Sequence, residues 1–250
     1  MSDIWDSVVG EKFIQPMSGY GFRLVESQET IATMEIVSNL EKQSMLEEML
    51  DIESKPPYRV GTRHLHYLLS TPFRYPPLKH GSRFGGRFES SLFYGGTSEL
   101  VTLCESAFYR FYFYNDMEYA PDHEFIQSQH TLFKFKYKSN AAVKLQNTPF
   151  NRYEGILSDP INYKPTQELG TAMRKANVKA FEYSSSRAQS GSINIALFDA
   201  SSLVYRKPMD EKSCLCQVSK TEVVFSIERK ITKFDIGEFL VNGSLPVPAS

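Results

Sequence analysis

Between Pro72 and Glu105 the sequence places Arg74, Tyr75, Arg83, Arg87, Tyr94 and Glu105, interleaved with Gly81, Gly85, Gly86, Gly95 and Gly96. Arginine offers forked donors that match phosphate oxygens, and open glycine turns let backbone amides approach an anion. A carboxylate placed beyond them can stabilise the cation that develops on a sugar as its glycosidic bond breaks. The group points to a nucleotide held by its phosphates and cleaved at its sugar. Each residue alone has an ordinary alternative: a solvated arginine, a packing tyrosine, a surface glutamate.

Those side chains need a frame. Residues 91–94 read as a short strand closed by Gly95 and Gly96, after which Thr97 or Ser98 caps a helix. In that helix Leu100, Leu103, Cys104, Ala107, Phe108 and Phe111 recur at i, i+3, i+4 and i+7, which makes theirs the buried face. Glu105 then lies about 100° round from Cys104, free to face a cleft. Residues 67–75 read as extended, 132–137 as a strand, 165–176 as a helix opened by a proline, and 179–183 as a strand. Further strands are expected at 193–198, 203–206 and 223–228, so the class is α+β without βαβ alternation. Gly81, Gly85 and Gly86 precede a strand, whereas dinucleotide fingerprints and phosphate loops follow one and open a helix, so both motifs are excluded.

Near the N-terminus, Ile31, Met34, Val37, Leu40, Met45, Leu46, Met49 and Leu50 recur at helical spacing, and Lys55-Pro56-Pro57 ends the pattern. Residues 1–60 are therefore expected to form a helical extension packed on a catalytic domain of residues 61–250. The methionine stripe packs on its own core in the first reading and meets a partner, including a second copy, in the second. With Lys and Arg at 28 against Asp and Glu at 29, the global field gives no reason to expect direct nucleic-acid or anionic-membrane binding. The absence of a signal-like start or a bilayer-length apolar run, and three cysteines without framework spacing, fit the cytoplasm. Cys214-x-Cys216 and His64-x-His66 lack the spacing of a metal knuckle, so no metal is expected.

The ordered series Arg74-Tyr75, Arg83, Tyr94 and Glu105, followed downstream by Tyr183, Ser185 and Arg187, resembles the RES-domain family over about residues 68–199. By that resemblance Arg74 and Tyr75 stand for the family's early Arg-Tyr pair, and Arg83 for its second arginine by the spacing to Tyr94 and Glu105. Arg87 offers a second register for that arginine, and Ser184 replaces the proline that ordinarily precedes the family's serine, here Ser185.

The resemblance implies an ADP-ribosyltransferase-like mixed or antiparallel β core with flanking helices. It also implies a toxin of a bacterial toxin–antitoxin pair that cleaves the nicotinamide–ribose bond of NAD by phosphorolysis or hydrolysis. NAD is then a substrate rather than a bound cofactor, with inorganic phosphate as a co-substrate. Glu105, Arg83 and Tyr94 carry the chemistry, and Arg74, Tyr75, Arg83, Arg87, Tyr94 and Ser185 contact NAD. Arg187 is expected to brace Glu105. The implied partner is a helix-turn-helix antitoxin that occludes the cleft. Transfer of ADP-ribose to a protein, or nucleotide binding without catalysis, are the alternatives.

Overall fold

The computed structural model describes residues 4–27, 41, 42, 45, 55–118 and 124–247. Most of the expected helix over residues 29–51 lies outside these; Glu41, Lys42 and Met45 within it are helical and exposed. The class is α+β, built on a mixed sheet of eight strands ordered β1-β2-β5-β4-β3-β6-β7-β8. The strands are β1 (Gln15–Glu26), β2 (Phe93–Gly96), β3 (Phe125–Lys144), β4 (Ala180–Ser184), β5 (Ile193–Leu197), β6 (Asp210–Ser219), β7 (Glu222–Ile227) and β8 (Lys230–Asp235). Because β1 also pairs along its length with β3, the strands β1, β2, β5, β4 and β3 close into a ring, and β6, β7 and β8 extend from it. Among the described strands only β3 and β4 run parallel.

The helices that matter here are α1 (Ile4–Val8), α2 (Tyr67–Arg74), α3 (Glu99–Asn115), α4 (Glu154–Leu157) and α5 (Lys164–Lys175). Helix α3 lays Leu103, Cys104, Ala107, Phe108 and Phe111 on Cys214, Cys216, Val218 and Phe225 of β6 and β7. Burying each large side chain of this kind contributes about 1.5–3 kcal/mol. Ser98 caps this helix by accepting the Val101 N–H at 3.2 Å. Leu100 departs from the expected buried face: it is 59% exposed, while Val101 and Thr102 beside it are buried. Helix α5 and α1 pack Leu169, Met173 and Trp5 on Phe84, Phe150 and Phe181. A third cluster joins Leu68, Leu69 and Phe73 of α2 to Phe93, Phe133 and Phe135 of the ring. Among the described residues, no helix is long and apolar enough to cross a membrane.

Three local expectations change. Residues 67–74 are helical instead of extended: Leu68, Leu69 and Phe73 bury one side of α2, which outweighs the donor missing at Pro72. Residues 203–206 run as a loop with one isolated bridge, Tyr137 to Leu203, while Val204, Tyr205 and Arg206 stay exposed. Residues 15–26, within the stretch expected to be a helical extension, form β1. Its Gly19 and Gly21 lie opposite Tyr137 and Phe135, whose rings fill the space a Cβ would need. Cys214 and Cys216 lie buried as free thiols on β6, and desolvation pushes them up to about 12 and about 11.

Candidate active site

A cleft of about 550 Å³ opens where β1, β2, β4 and β5 meet α2, α3 and the segment around Tyr163, a size that suits a small-molecule ligand. Glu105 projects into it from α3, off the helix face that packs on β6 and β7. Its Oε1 accepts two hydrogen bonds, from Ser185 Oγ at 2.7 Å and from Asn194 Nδ2 at 2.6 Å. Oε2 is left open: it makes no hydrogen bond among the described residues and is not a buried unpartnered atom. The hydroxyl of Ser185 is itself held, accepting Arg187 N–H at 3.1 Å and Ala188 N–H at 2.9 Å. Ser185 is thus both a turn serine and a ligand of Glu105.

Three arginines line the same cleft. Arg83 is buried, donating to the carbonyls of Leu157 (3.2 Å) and Asp159 (2.8 Å) and to Ser186 Oγ (2.6 Å), with its guanidinium 4.5 Å from the Tyr163 ring centroid. Arg187 stacks on Phe108 at 3.6 Å and donates to Pro160 O (3.0 Å) and Tyr163 Oη (3.3 Å). Its guanidinium does not brace Glu105 as expected; its backbone N–H does so indirectly, through Ser185. Arg23, on β1, donates to Tyr94 O at 2.6 Å and lies 5.3 Å from the Phe93 ring, while its Nε is buried without a partner. Among the described residues no carboxylate pairs with Arg23, and desolvation lowers its pKa to about 10. A guanidinium without a carboxylate partner on a cleft wall is suited to an incoming anion, although the buried Nε itself does not face the opening.

The tyrosines are neutral walls. Burial raises Tyr183 well above its ordinary value, with the charge of Glu105 adding to the effect, and burial likewise raises Tyr94. Tyr94 Oη shares a hydrogen bond with Ser82 Oγ (2.9 Å) and accepts Phe84 N–H (3.1 Å), tying β2 to the loop that carries Arg83.

Of the residues expected at the site, Tyr75, Arg83, Tyr94 and Glu105 all line the cleft, and Ser185 stands behind Glu105. Arg74 and Arg87 do not line it. Arg74 donates from Nε to Pro56 O and stacks on Tyr58 at 4.1 Å, while Arg87 is exposed beside Phe88. Between the two registers, Arg83 is the arginine on the cleft wall. Sequence reasoning missed Arg23, Asn194, Tyr163 and Ser186. A signal existed for Asn194, a lone amide inside the apolar run Ile193–Leu197.

Residues 56–215, well over half of the chain, match the family model described as the RES domain. The chain belongs to the RES-domain family. The match begins after β1, so the RES profile includes Arg83, Tyr94, Glu105, Ser185 and Asn194 but leaves Arg23 outside. No curated protein matches this RES-domain chain. Among solved structures it is similar to one described as the M. tuberculosis MbcT-MbcA toxin-antitoxin complex, at 8% identity and a TM-score of 0.46, covering 95% of this chain and 94% of that one.

Proposed function

We propose that this RES-domain protein cleaves the nicotinamide–ribose bond of NAD, and that it is the toxin of a toxin–antitoxin pair. The observation that carries the reading is Glu105: one carboxylate oxygen clamped by two donors, the other open, in a cleft shared with three arginines. Arg23 and Arg83 hold the pyrophosphate, whose charge answers the unpaired guanidinium of Arg23. The bond between ribose C1 and the pyridinium nitrogen breaks with its electron pair passing to nicotinamide, which leaves neutral. Glu105 Oε2 faces the resulting oxocarbenium sugar and stabilises it electrostatically, the kind of fixed charge worth about 3–4 kcal/mol in such sites. An oxygen of inorganic phosphate or of water then bonds C1, and water sheds its proton to solvent. The partner in this reading is a helix-turn-helix antitoxin that covers the cleft.

Incubation of the protein with NAD, with and without inorganic phosphate, tests the reaction. The expected products are free nicotinamide together with ADP-ribose 1-phosphate or ADP-ribose, resolved by mass spectrometry. Label from the adenylate half appearing on a protein band would instead assign transfer to a protein, and intact NAD would reject cleavage.

A further inference from the structure

The donors around Glu105 have a consequence for which of its oxygens can react. Ser185 Oγ accepts two backbone N–H groups, so both of its lone pairs are used and its one hydrogen is committed to Glu105 Oε1. The Asn194 amide must present nitrogen to the same oxygen, since a carbonyl oxygen 2.6 Å from a carboxylate oxygen would be repelled. Oε1 is therefore filled, and only Oε2 can meet a substrate.

Asn194 is 3% exposed and lies on β5, opposite Gly96 of β2 and Tyr183 of β4, so its backbone is fixed from both sides. Ser185 belongs to the turn after β4, which is held to the opposing end by Ser185 N–H donating to Ser192 O at 2.8 Å. Two donors from neighbouring supports, the strand β5 and the turn after the β4 it pairs with, thus converge on a single oxygen of a helix side chain. Loss of either leaves a hinge; loss of both releases the carboxylate.

We infer that Asn194 is a positioning residue for Glu105, holding its carboxylate in the rotamer that offers Oε2 alone to the ribosyl cation. This rests on the cleavage reading for its kinetic consequence, but the positioning itself stands on geometry. A merely structural amide would act through packing; a positioning amide acts through its donor.

Asn194→Leu removes the donor on the same branched heavy-atom skeleton, though with bulkier methyl groups, and Asn194→Asp keeps the shape while replacing the donor with an acceptor. In nicotinamide release, Asn194→Leu is expected to lower kcat at least tenfold with KM within about threefold. Asn194→Asp should fall further, because its carboxylate repels Glu105. ADP-ribose affinity by calorimetry and the Tm should stay near wild type for Asn194→Leu. A loss of affinity and Tm in step with the rate would overturn positioning in favour of packing.

If the wild-type protein releases no nicotinamide, the cleavage reading fails and the inference is decided by crystallography alone. The double variant Ser185→Ala with Asn194→Leu should show Glu105 turned out of its wild-type rotamer. A Glu105 carboxylate unmoved with both donors gone would sink the inference.

Discussion

At the scale of single residues, Arg23 is a charge that no carboxylate among the described residues answers. A half-buried arginine with one hydrogen bond, one aromatic neighbour and a buried orphan Nε costs stability in the empty cleft, a cost that the proposed binding of a pyrophosphate would offset. Arg23→Met keeps the stem and deletes the charge. Its Tm should equal or exceed that of the wild type while ADP-ribose binding weakens at least tenfold by calorimetry, an exchange of stability against function. Unchanged affinity would remove Arg23 from the site. Helix phase made Glu105 legible in the sequence, because it bears directly on which way a side chain faces, whereas Arg83 was marked by the family resemblance alone, with Arg87 left open beside it. The sequence hid Arg23, since its pairing with Tyr94 arises only when β1 joins β2, 71 positions downstream.

At the scale of elements, the site depends on how closely α5 approaches the loop that carries Arg83. Gly170 is the contact point: a Cβ there would overlap the carbonyl of Phe84, the residue after Arg83. Alanine in place of a helical glycine ordinarily adds about 1 kcal/mol of stability. Here the sign reverses, because the obstacle is backbone that Tyr94 and Gln167 hold in place by hydrogen bonds. Gly170→Ala should lose about 1–3 kcal/mol, seen as a Tm lower by several degrees, and should lower activity with it by displacing Arg83. A higher Tm would show that α5 can slide away.

The same proximity explains what element patterns could reveal. Strand β5 and helices α3 and α5 were readable from strong periodicity. Helix α2 was not, because Pro72 inside it reads as a breaker even though Leu69 and Phe73 stand four apart on its buried side. Strand β1 was not, because its inward positions carry glycines that make room for Phe135 and Tyr137. Strand β6 alternates Cys214, Cys216 and Val218 inward, a period-two pattern that the cysteine pair disguised as a metal question.

At the scale of the molecule, the ring of β1, β2, β5, β4 and β3 places the cleft where strand ends converge, and α3 lays a carboxylate across that opening. The near-neutral whole carries three arginines beside Glu26 and Glu105 in the cleft, so under the proposed function the attraction for a dinucleotide is local and does not come from the global field. The central claim is that the open oxygen of Glu105 stabilises a ribosyl cation. Glu105→Gln tests it with little disturbance, since an amide oxygen can take the place of Oε1 under Ser185 and Asn194 while the neutral NH₂ faces the cleft. Nicotinamide release from NAD by the purified protein, measured beside Glu105→Gln at matched Tm, is the decisive comparison. The wild type should turn over and Glu105→Gln should fall at least a hundredfold, the loss of about 3 kcal/mol expected for one fixed charge. Equal rates in the two proteins would contradict the account.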